Sequence, residues 1–350
     1  MFFETKATVA TTIYDTVAAG EVNKALTTIS ASFSLLGTFL IIATFVAWKD
    51  FRSKSRRILV YISIADFFIA GGNLLGVWLV DENSNACKAQ SFISTCASLW
   101  SFFWTVFLGL YMYTAVASKQ GNKADVMVKF FHVIGWGVPL VIVSVALGLG
   151  KLGKENVDSA GWCWIDGRLK QEEKKIWMFI TGKAWEISAY FLCSIFYLML
   201  KCRIRKEIYD NKKQFASPES KEAAIKAEKR LMLVPVTFIL VRIWGTLRFI
   251  LYTFAGVHSL NTTYGIVFLY LQGIGDSSQG FANFLLFCFF TEKFQSHLSQ
   301  SIQKFSLSCR RSFTSSSMVE LQISSKLSSS IQETDETSYL LAKPDIRQGP

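Results

Sequence analysis

Seven separate apolar runs divide most of this chain, and each is close to the length that an α-helix needs to cross a bilayer. A helix rises ~1.5 Å per residue, so about 20 residues span the ~30 Å of hydrocarbon. The runs are continuous rather than alternating, which excludes a β-barrel built of ~10-residue strands. We therefore predict an all-α membrane protein with a seven-transmembrane helix bundle, whose spans are residues 25–48, 58–80, 90–118, 130–149, 176–200, 231–255 and 264–290.

The composition leaves little material for a separate soluble domain. Of 350 residues, 51% are hydrophobic, and the mean hydropathy is +0.31. The net charge of +11 could suggest a nucleic-acid partner, but the basic residues lie beside the apolar runs rather than on one soluble face. Membrane lipid, and not nucleic acid, is therefore the predicted partner of this positive charge.

Basic residues in the loops predict the orientation of the bundle. Loops 49–57 and 201–230 are rich in Lys and Arg, which places both in the cytosol. Seven crossings then leave residues 1–24 as a short extracellular N-terminus and the C-terminus inside, as in a multi-pass protein of the plasma membrane. Loop 150–175 departs from this pattern, because it is predicted outside yet holds six basic residues, which five acids nearly balance.

Two cysteines fall on the predicted extracellular side. Cys87 lies just before the third run and Cys163 lies in the long external loop, where oxidising conditions favour a disulfide. Such a bond would hold that loop over the mouth of the bundle; the alternative is two free thiols. Cys309 lies beside two arginines on the cytosolic side and is a candidate for palmitoylation, although an unmodified thiol fits equally well.

The chain after the last span has two predicted sections. Residues 291–305 place Phe294, Leu298 and Ile302 on one helical face, which predicts a short amphipathic eighth helix on the inner membrane surface. Residues 306–350 are rich in Ser and Thr and too polar to form a core, so we predict a disordered cytosolic tail. Its hydroxyls offer sites to kinases and thereby to arrestin; the alternative is an inert, solvated tail.

Charged side chains lie inside several apolar runs, where each costs roughly 2.5 to 3.5 kcal/mol at mid-membrane unless it faces a partner inside the bundle. Lys183 and Glu186 are three residues apart and share a helix face, which predicts an ion pair. Asp276 is expected to pair with Arg242 or Arg248 on the preceding span. The alternative for each charge is that it only fixes helix packing.

Residues of the spans and of the external loop form two candidate sets according to their predicted depth in the membrane. Those nearer the outside are candidates for a ligand pocket, namely Asn73, Trp100, Trp104, Trp164, Lys183, Glu186, Arg248 and Gln272. Those nearer the centre or the cytosol are candidates for a state-dependent switch, namely Asp66, Tyr111, Pro235, Arg242, Trp244, Asp276 and Gln279. Pro235 removes a backbone hydrogen bond near the cytosolic end of its span, so a bend there would let this end swing outward.

Several motifs resemble those of secretin-, adhesion- and cAMP-receptor-type G-protein-coupled receptors. They are the cysteine that opens span three, its partner in Gly161-Trp162-Cys163-Trp164, the run Gly135-Trp136-Gly137-Val138-Pro139 and the pair Gln279-Gly280. The resemblance implies an external agonist, outward motion of span six and nucleotide exchange on a heterotrimeric G protein. The basic residues that it implies as G-protein contacts are Arg52, Lys54, Arg56, Arg57, Arg203, Arg205, Lys206, Lys229 and Arg230.

The chain departs from these receptors near the cytosolic ends of spans three and seven. Leu108 precedes Gly109-Leu110-Tyr111, where the secretin pattern has a glutamate. The acidic-arginine-aromatic triplet and the Asn-Pro pair of rhodopsin-type receptors are also missing, since the chain has Leu110-Tyr111-Met112-Tyr113 and Ala282-Asn283-Phe284. The inner ionic lock of either family is therefore absent, which predicts constitutive activity or a different latch.

A membrane carrier or channel is the alternative function, since intramembrane charges can also line a solute path. Against it, the two halves of the chain show no internal repeat. A retinal-binding protein is excluded because span 264–290 has no lysine for a Schiff base. His132, His258 and His297 are scattered along the chain, so the sequence predicts no enzyme active site, no metal centre and no cofactor.

Overall fold

Seven long helices make up most of the residues that the computed structural model describes, which are 2–79, 85–117, 121–154, 160–210, 233–289, 291 and 294–303. The helix α5 is continuous from Gln171–Met178 through the π-helical turn Phe179–Lys183 to Ala184–Asp210. A second π-helical turn, Leu285–Phe289, follows α7. The other helices are α1 (Phe2–Ala47), α2 (Lys54–Trp78), α3 (Asn85–Ala117), α4 (Gly121–Gly148), α6 (Leu233–Ala255) and α7 (Thr263–Phe284).

Six of the described helices are long and apolar enough to cross a membrane, judged by length and composition, and they correspond to α1 through α6. The helix α7 has 22 residues, or about 33 Å at ~1.5 Å per residue, but its buried Gln272, Asp276 and Gln279 make it more polar. The helices α1 and α5 extend beyond the predicted spans, since α1 begins at Phe2 and α5 ends at Asp210. The predicted helix bundle is confirmed.

The helices pack around a polar interior, with α3 in contact with four of the others. Among the described elements, α1 contacts α2 and α7, α2 contacts α3 and α7, α3 contacts α4, α5 and α6, and α6 contacts α7. Phe254 is 85% exposed, Val133 73% and Phe191 72%, whereas Asp66 and Arg242 are buried. This reversal of the soluble pattern is expected when the outer face of a bundle contacts lipid and charges face inward.

Local signals fix the ends of two helices. Ser53 precedes α2 and its Oγ accepts the Arg56 N–H at 3.4 Å, while Thr262 precedes α7 and its Oγ1 accepts the Gly265 N–H at 3.3 Å. Ser and Thr are favoured at this position because their oxygens satisfy amide groups that the first helical turn leaves unpaired.

Two glycines let α7 approach its neighbours closely. A Cβ on Gly275 would lie 1.9 Å from the backbone oxygen of Val241 in α6, and a Cβ on Gly280 would lie 2.3 Å from Cγ2 of Thr38 in α1. Side chains at either position would force the helices apart, as at the small-residue contacts of other membrane bundles. The register of α7 against α6 and α1 therefore depends on these two positions.

The segment after α4 forms a short hairpin. Strand β1 (Leu152–Gly153) pairs antiparallel with β2 (Trp164–Ile165), with Leu152 opposite Ile165. The chain divides into two compact units at residues 289 and 290, and the second unit contains a helix at residues 294–303. The predicted position of this helix on the inner membrane surface stays a prediction.

Candidate functional site

A disulfide joins the hairpin loop to the start of α3. Cys87 and Cys163 are bonded, with their Cα atoms 5.7 Å apart, which confirms the predicted pairing. The Cys163 N–H also donates to Gln90 Oε1 at 2.9 Å, and Ser91 Oγ donates to the carbonyl of Trp164 at 2.6 Å. The loop around Cys163 is therefore held on α3 by a covalent bond and by hydrogen bonds on both sides of it.

Two further contacts stabilise the same loop. Asn23 Nδ2 of α1 donates to the carbonyl of Ala160 at 2.6 Å. Arg168 donates from its backbone N–H and its guanidinium to Asp166, and this hydrogen bonding holds the pKa of the Asp166 carboxyl below its usual value. The loop is thus anchored to both α1 and α3 and is braced internally.

A cavity of about 60 Å³ lies beneath this loop, between α2, α3, α5, α6 and α7. Seven residues of the two predicted sets line it, namely Asn73, Trp164, Lys183, Glu186, Arg242, Gln272 and Asp276. Five of these were pocket candidates, while Arg242 and Asp276 were predicted as switch residues. Arg248 instead lines an adjacent cavity of about 10 Å³, which shares Trp164, Lys183 and Gln272 with the first.

The cavity also has lining residues that were not predicted. Ser94, Thr95 and Ser98 of α3 and Trp162 of the loop contribute to its wall. Ser94 and Ser98 are four residues apart and therefore share a helix face. Small polar residues on one face of an apolar span were the sequence signal that could have identified this part of the cavity wall. They were not predicted because an uncharged hydroxyl costs little free energy in a membrane span and so gives a weaker sequence signal than a charged side chain.

The predicted ion pair of α5 is present and forms part of the cavity wall. Lys183 Nζ lies 2.6 Å from Glu186 Oε2, and both side chains are buried. Tyr190 Oη donates to the other oxygen of Glu186 at 2.8 Å and lies 3.3 Å from Thr246 Oγ1 of α6. The pair is therefore neutralised locally and linked to α6 through one tyrosine.

A chain of buried polar groups starts at the cavity and crosses the bundle. Arg242 Nε donates to Gln279 Oε1 at 3.0 Å, and Gln279 Nε2 donates to Ser101 Oγ at 3.0 Å. Ser101 Oγ donates to Asp66 Oδ1 at 2.8 Å, and Asn283 Nδ2 donates to Asp66 Oδ2 at 3.0 Å. Three predicted switch residues thus lie in one network, together with Ser101 and Asn283, which were not predicted as site residues.

Asp276 was predicted to form a bridge with Arg242 or Arg248, but the hydrogen bonds described for these residues go to other partners, and Asp276 interacts with Arg242 electrostatically. Arg242 donates to Gln279 instead, and Asp276 Oδ2 accepts from Gln272 Nε2 at 3.3 Å within α7. Gln279 is three residues after Asp276, so the guanidinium meets the next turn of the same helix face. Arg248 Nη1 likewise lies within hydrogen-bonding distance of Gln272 Oε1, at 3.4 Å.

Trp100 and Trp104 lie in an aromatic cluster between α2, α3 and α4 rather than at the cavity. Trp100 Nε1 donates to the carbonyl of Trp136 at 3.1 Å. The ring of Trp104 lies 4.7 Å from that of Tyr61 and 5.0 Å from that of His132, measured between centroids. Both tryptophans therefore serve helix packing in this structure, because α3 turns this face toward α4.

The other switch candidates are distributed more widely. Tyr111 is buried in α3, and the ring of Trp244 lies 6.3 Å from that of Phe268 across the contact of α6 with α7. Pro235 lies within α6, near its first residue, Leu233, and its side chain is outside the described part of the structure. These three residues do not join the polar network within the described contacts.

The basic candidates for G-protein contact that the structure describes lie at the helix ends opposite the disulfide. Arg52 donates to the carbonyls of Phe45 at 3.3 Å and Val46 at 2.5 Å, and the Arg56 guanidinium lies 4.1 Å from the centre of the Phe51 ring. Lys54, Arg57 and Arg205 are exposed, and Arg203 is half-buried. The side chain of Lys206 and the whole of Lys229, Arg230 and Cys309 lie outside the described residues.

No group of three or more His, Cys, Asp or Glu side chains that could hold a metal ion occurs in the described part of the chain. The polar contacts described in the interior are hydrogen bonds and an ion pair.

Comparison with known proteins agrees with this architecture. The sequence profile described as "7 transmembrane receptor (Secretin family)" matches residues 21–283. G-protein coupled receptor 157 of Mus musculus is 36% identical over 295 residues, which cover 82% of this chain and 86% of the mouse protein. Latrophilin receptor-like protein A of Dictyostelium discoideum is 24% identical over 283 residues, covering 81% and 83% of the two chains.

The same fold occurs among solved structures. The crystal structure of squid rhodopsin superposes with a TM-score of 0.61 at 16% identity, covering 84% of this chain and 87% of that chain. This likeness concerns the arrangement of the helices alone. The family profile matches the whole span of the helix bundle, and the mouse relative matches over most of both chains. The chain therefore belongs to the secretin family of seven-transmembrane, G-protein-coupled receptors.

Proposed function

We propose that this receptor binds an extracellular ligand in the cavity beneath the disulfide-linked loop and activates a heterotrimeric G protein through outward motion of the cytosolic end of α6. The observation that carries the proposal is the position of Arg242. It lines the cavity and also donates to Gln279, from which the polar network continues to Asp66 and Asn283. A ligand that contacts Arg242 therefore acts directly on a contact between α6 and α7.

The distribution of the network over the helices supports this mechanism. Arg242 belongs to α6, whereas Gln279 and Asn283 belong to α7, Ser101 to α3 and Asp66 to α2. Movement of α6 away from the bundle changes the Arg242–Gln279 contact, while the other bonds can persist among helices that stay together. The network therefore takes the place of the ionic lock of related receptors, which this chain lacks. A ligand can bias the equilibrium between a state in which the Arg242–Gln279 contact is made and a state in which it is broken.

The opposite end of the bundle supplies the proposed surface for the G protein. With the N-terminus outside and the chain in the plasma membrane, the exposed side chains of Lys54, Arg57 and Arg205 face the cytosol beside α2 and α5. The sequence positions Lys206, Lys229 and Arg230 extend this basic set. In the same proposal the helix at 294–303 lies on the inner leaflet, and the tail beyond it is a substrate for kinases and a partner for arrestin.

The test is nucleotide exchange with the purified receptor in lipid nanodiscs and a panel of purified Gα subunits with Gβγ. We expect exchange on at least one Gα subunit to be faster with the receptor than with empty nanodiscs. Replacing Arg57 and Arg205 by Glu should reduce this exchange without changing the melting temperature of the receptor. Solute flux through receptor liposomes, with no exchange on any Gα subunit, would contradict the proposal and support a carrier.

A further inference from the structure

Four ionisable side chains line the cavity, and their formal charges cancel. Lys183, Glu186, Arg242 and Asp276 are 5%, 2%, 4% and 8% exposed, so each is withdrawn from solvent. Lys183 and Glu186 already neutralise each other at 2.6 Å. Arg242 and Asp276 form hydrogen bonds with different partners, since Arg242 Nε donates to Gln279 Oε1 and Asp276 Oδ2 accepts from Gln272 Nε2.

One donor and one acceptor on this wall have no protein partner among the described residues. They are Nη2 of Arg242 and Oδ1 of Asp276, and both atoms are buried, so a ligand in the cavity reaches them through a small shift of the two side chains. A buried charged group that is only partly hydrogen-bonded is costly, so these two atoms need a complementary partner. The two atoms belong to residues close enough to interact electrostatically within one cavity.

We infer that the cavity binds a small zwitterion, with an acid group on Arg242 and an ammonium group on Asp276. This inference rests on the proposed function, since it names the class of ligand for the same cavity. A guanidinium binds a carboxylate through charge-assisted hydrogen bonds, and a carboxylate binds an ammonium group in the same way. A ligand with only one charge would satisfy one of these residues, leave the other without a partner and bring net charge into a buried, neutral site.

The size and the remaining wall agree with a small molecule. The cavity is about 60 Å³, and Ile69, Phe102, Trp162 and Trp164 supply apolar surface around the charged groups. Apolar walls fit a short chain of methylene groups between the two charged ends and exclude water from both of them. A peptide or a lipid would need the loop around Cys163, which is held on α3, to move away.

The experiment measures binding to the purified receptor in nanodiscs by thermal shift, without a G protein. The probes are glycine, β-alanine and γ-aminobutyrate, and the matched single-charge controls are propionate and propylamine, each at up to roughly 10 mM to detect weak binding. We expect at least one zwitterion to raise the melting temperature in a saturable way, and neither control to do so. Equal shifts with the controls, or no shift with any zwitterion, would overturn the inference.

Variants of the cavity residues test whether the zwitterion binds in this cavity. R242Q and D276N should each weaken the apparent affinity at least tenfold, whereas E172Q should leave it unchanged, because the Glu172 side chain is 82% exposed and does not line this cavity. Should R242Q or D276N unfold, S98F fills the cavity while it leaves all four charges in place, and it should abolish the shift. Retention of the full shift in S98F would place the zwitterion elsewhere and overturn the inference.

The two proposals fail in different ways. Zwitterion binding that is lost in S98F, combined with no nucleotide exchange on any Gα subunit, would support the ligand class and contradict the proposed signalling. Nucleotide exchange that proceeds while no zwitterion shifts the melting temperature would support the signalling and overturn the ligand class.

Discussion

Arg242 of α6 donates its Nε–H to Gln279 Oε1 of α7 at 3.0 Å, and this contact joins the cavity to the buried polar groups around Asp66. Arg242 is buried, and its guanidinium also lies 4.9 Å from the centre of the Phe102 ring on α3. One side chain of α6 therefore contacts both α3 and α7. Its partners in these helices determine how firmly α6 is held against the bundle.

Replacing Gln279 by Leu should raise nucleotide exchange in the absence of ligand. The change removes the acceptor of Arg242 and the donor to Ser101, so α6 is held less firmly. Hydrogen bonds to charged groups contribute roughly 1.5 to 3 kcal/mol, and a bias of one or two kcal/mol changes a two-state ratio by about 5- to 30-fold. The measurement is the basal exchange rate of the purified receptor with its G protein.

Ser278→Ala is the matched control for this variant. Ser278 is adjacent in sequence, but its hydroxyl donates to the carbonyl of Gly275 within α7. Its basal exchange should equal that of the wild-type receptor. Equal basal exchange in Q279L and the wild type would show that the Arg242–Gln279 contact does not hold the resting state.

Replacing Cys87 by Ser should lower the melting temperature and the amount of receptor at the cell surface. The disulfide joins residues separated by 76 positions and anchors the loop that covers the cavity. Removing a native disulfide typically destabilises a small domain by about 2 to 5 kcal/mol. The loss in this receptor should be no larger than about 5 kcal/mol, because the helices persist without the bond. Surface labelling and thermal unfolding of the purified protein measure the two effects.

The double variant and a second cysteine control this result. Cys163→Ser should match Cys87→Ser, and the double variant should be no worse than either, because all three lack the same bond. Cys202→Ser removes an exposed free thiol and should have no effect. Additive losses in the double variant would indicate that the two thiols contribute independently.

Replacing Glu186 by Ala should destabilise the receptor strongly. It leaves the buried Lys183 ammonium without its partner, and breaking a buried ion pair costs roughly 3 to 5 kcal/mol. The double change of Lys183 and Glu186 to Met should recover most of this loss, because no buried charge is then left uncompensated. Thermal unfolding in nanodiscs measures both variants.

The same helix offers, as a control, an ion pair with the same spacing whose acidic side chain is exposed. Lys175 and Glu172 are three residues apart with a 3.1 Å contact, but the Glu172 side chain is 82% exposed. Glu172→Ala should change the free energy of unfolding by less than about 1 kcal/mol. Similar losses of stability in E172A and E186A would mean that burial does not determine the cost of breaking the ion pair.

Replacing Gly275 by Ala should destabilise the contact between α6 and α7. The new Cβ would lie 1.9 Å from the Val241 backbone oxygen, so the helices must separate locally. Overpacking of this kind costs typically 1 to 3 kcal/mol. Gly137→Ala in α4 is the control, since nothing lies within 4 Å of its Cβ position, and equal melting temperatures of both variants would contradict the predicted close contact.

The sequence predicted the local pairing of Lys183 with Glu186 but not the pairing across helices. Residues three apart on one helix share a face whatever the rest of the fold does, so this ion pair followed from spacing alone. The partner of Arg242 depends on how far α6 is rotated and shifted against α7, which hydropathy does not encode. In the structure Arg242 contacts Gln279, about one turn beyond Asp276.

Trp104 and Ser101 illustrate the same limit within one helix. The sequence places both on α3, and only the packed bundle turns Trp104 toward His132 of α4 and Ser101 toward Asp66 of α2. A hydrophobic span has apolar residues on every side, so its periodicity does not reveal which face meets which neighbour. The predicted pocket therefore included tryptophans that pack elsewhere and missed the serines of the opposite face.

The apolar runs were sufficient to predict the number of membrane helices, and the positions of Cys87 and Cys163 favoured the disulfide between them. These features depend on the length of apolar runs and on the chemistry of thiols, both of which are properties of the chain. The packed bundle was needed to show that Arg242 connects the cavity to Asp66 and that the cavity presents balanced charges. The reason is physical, since the rotation and depth of each helix are set by close packing against all of its neighbours at once.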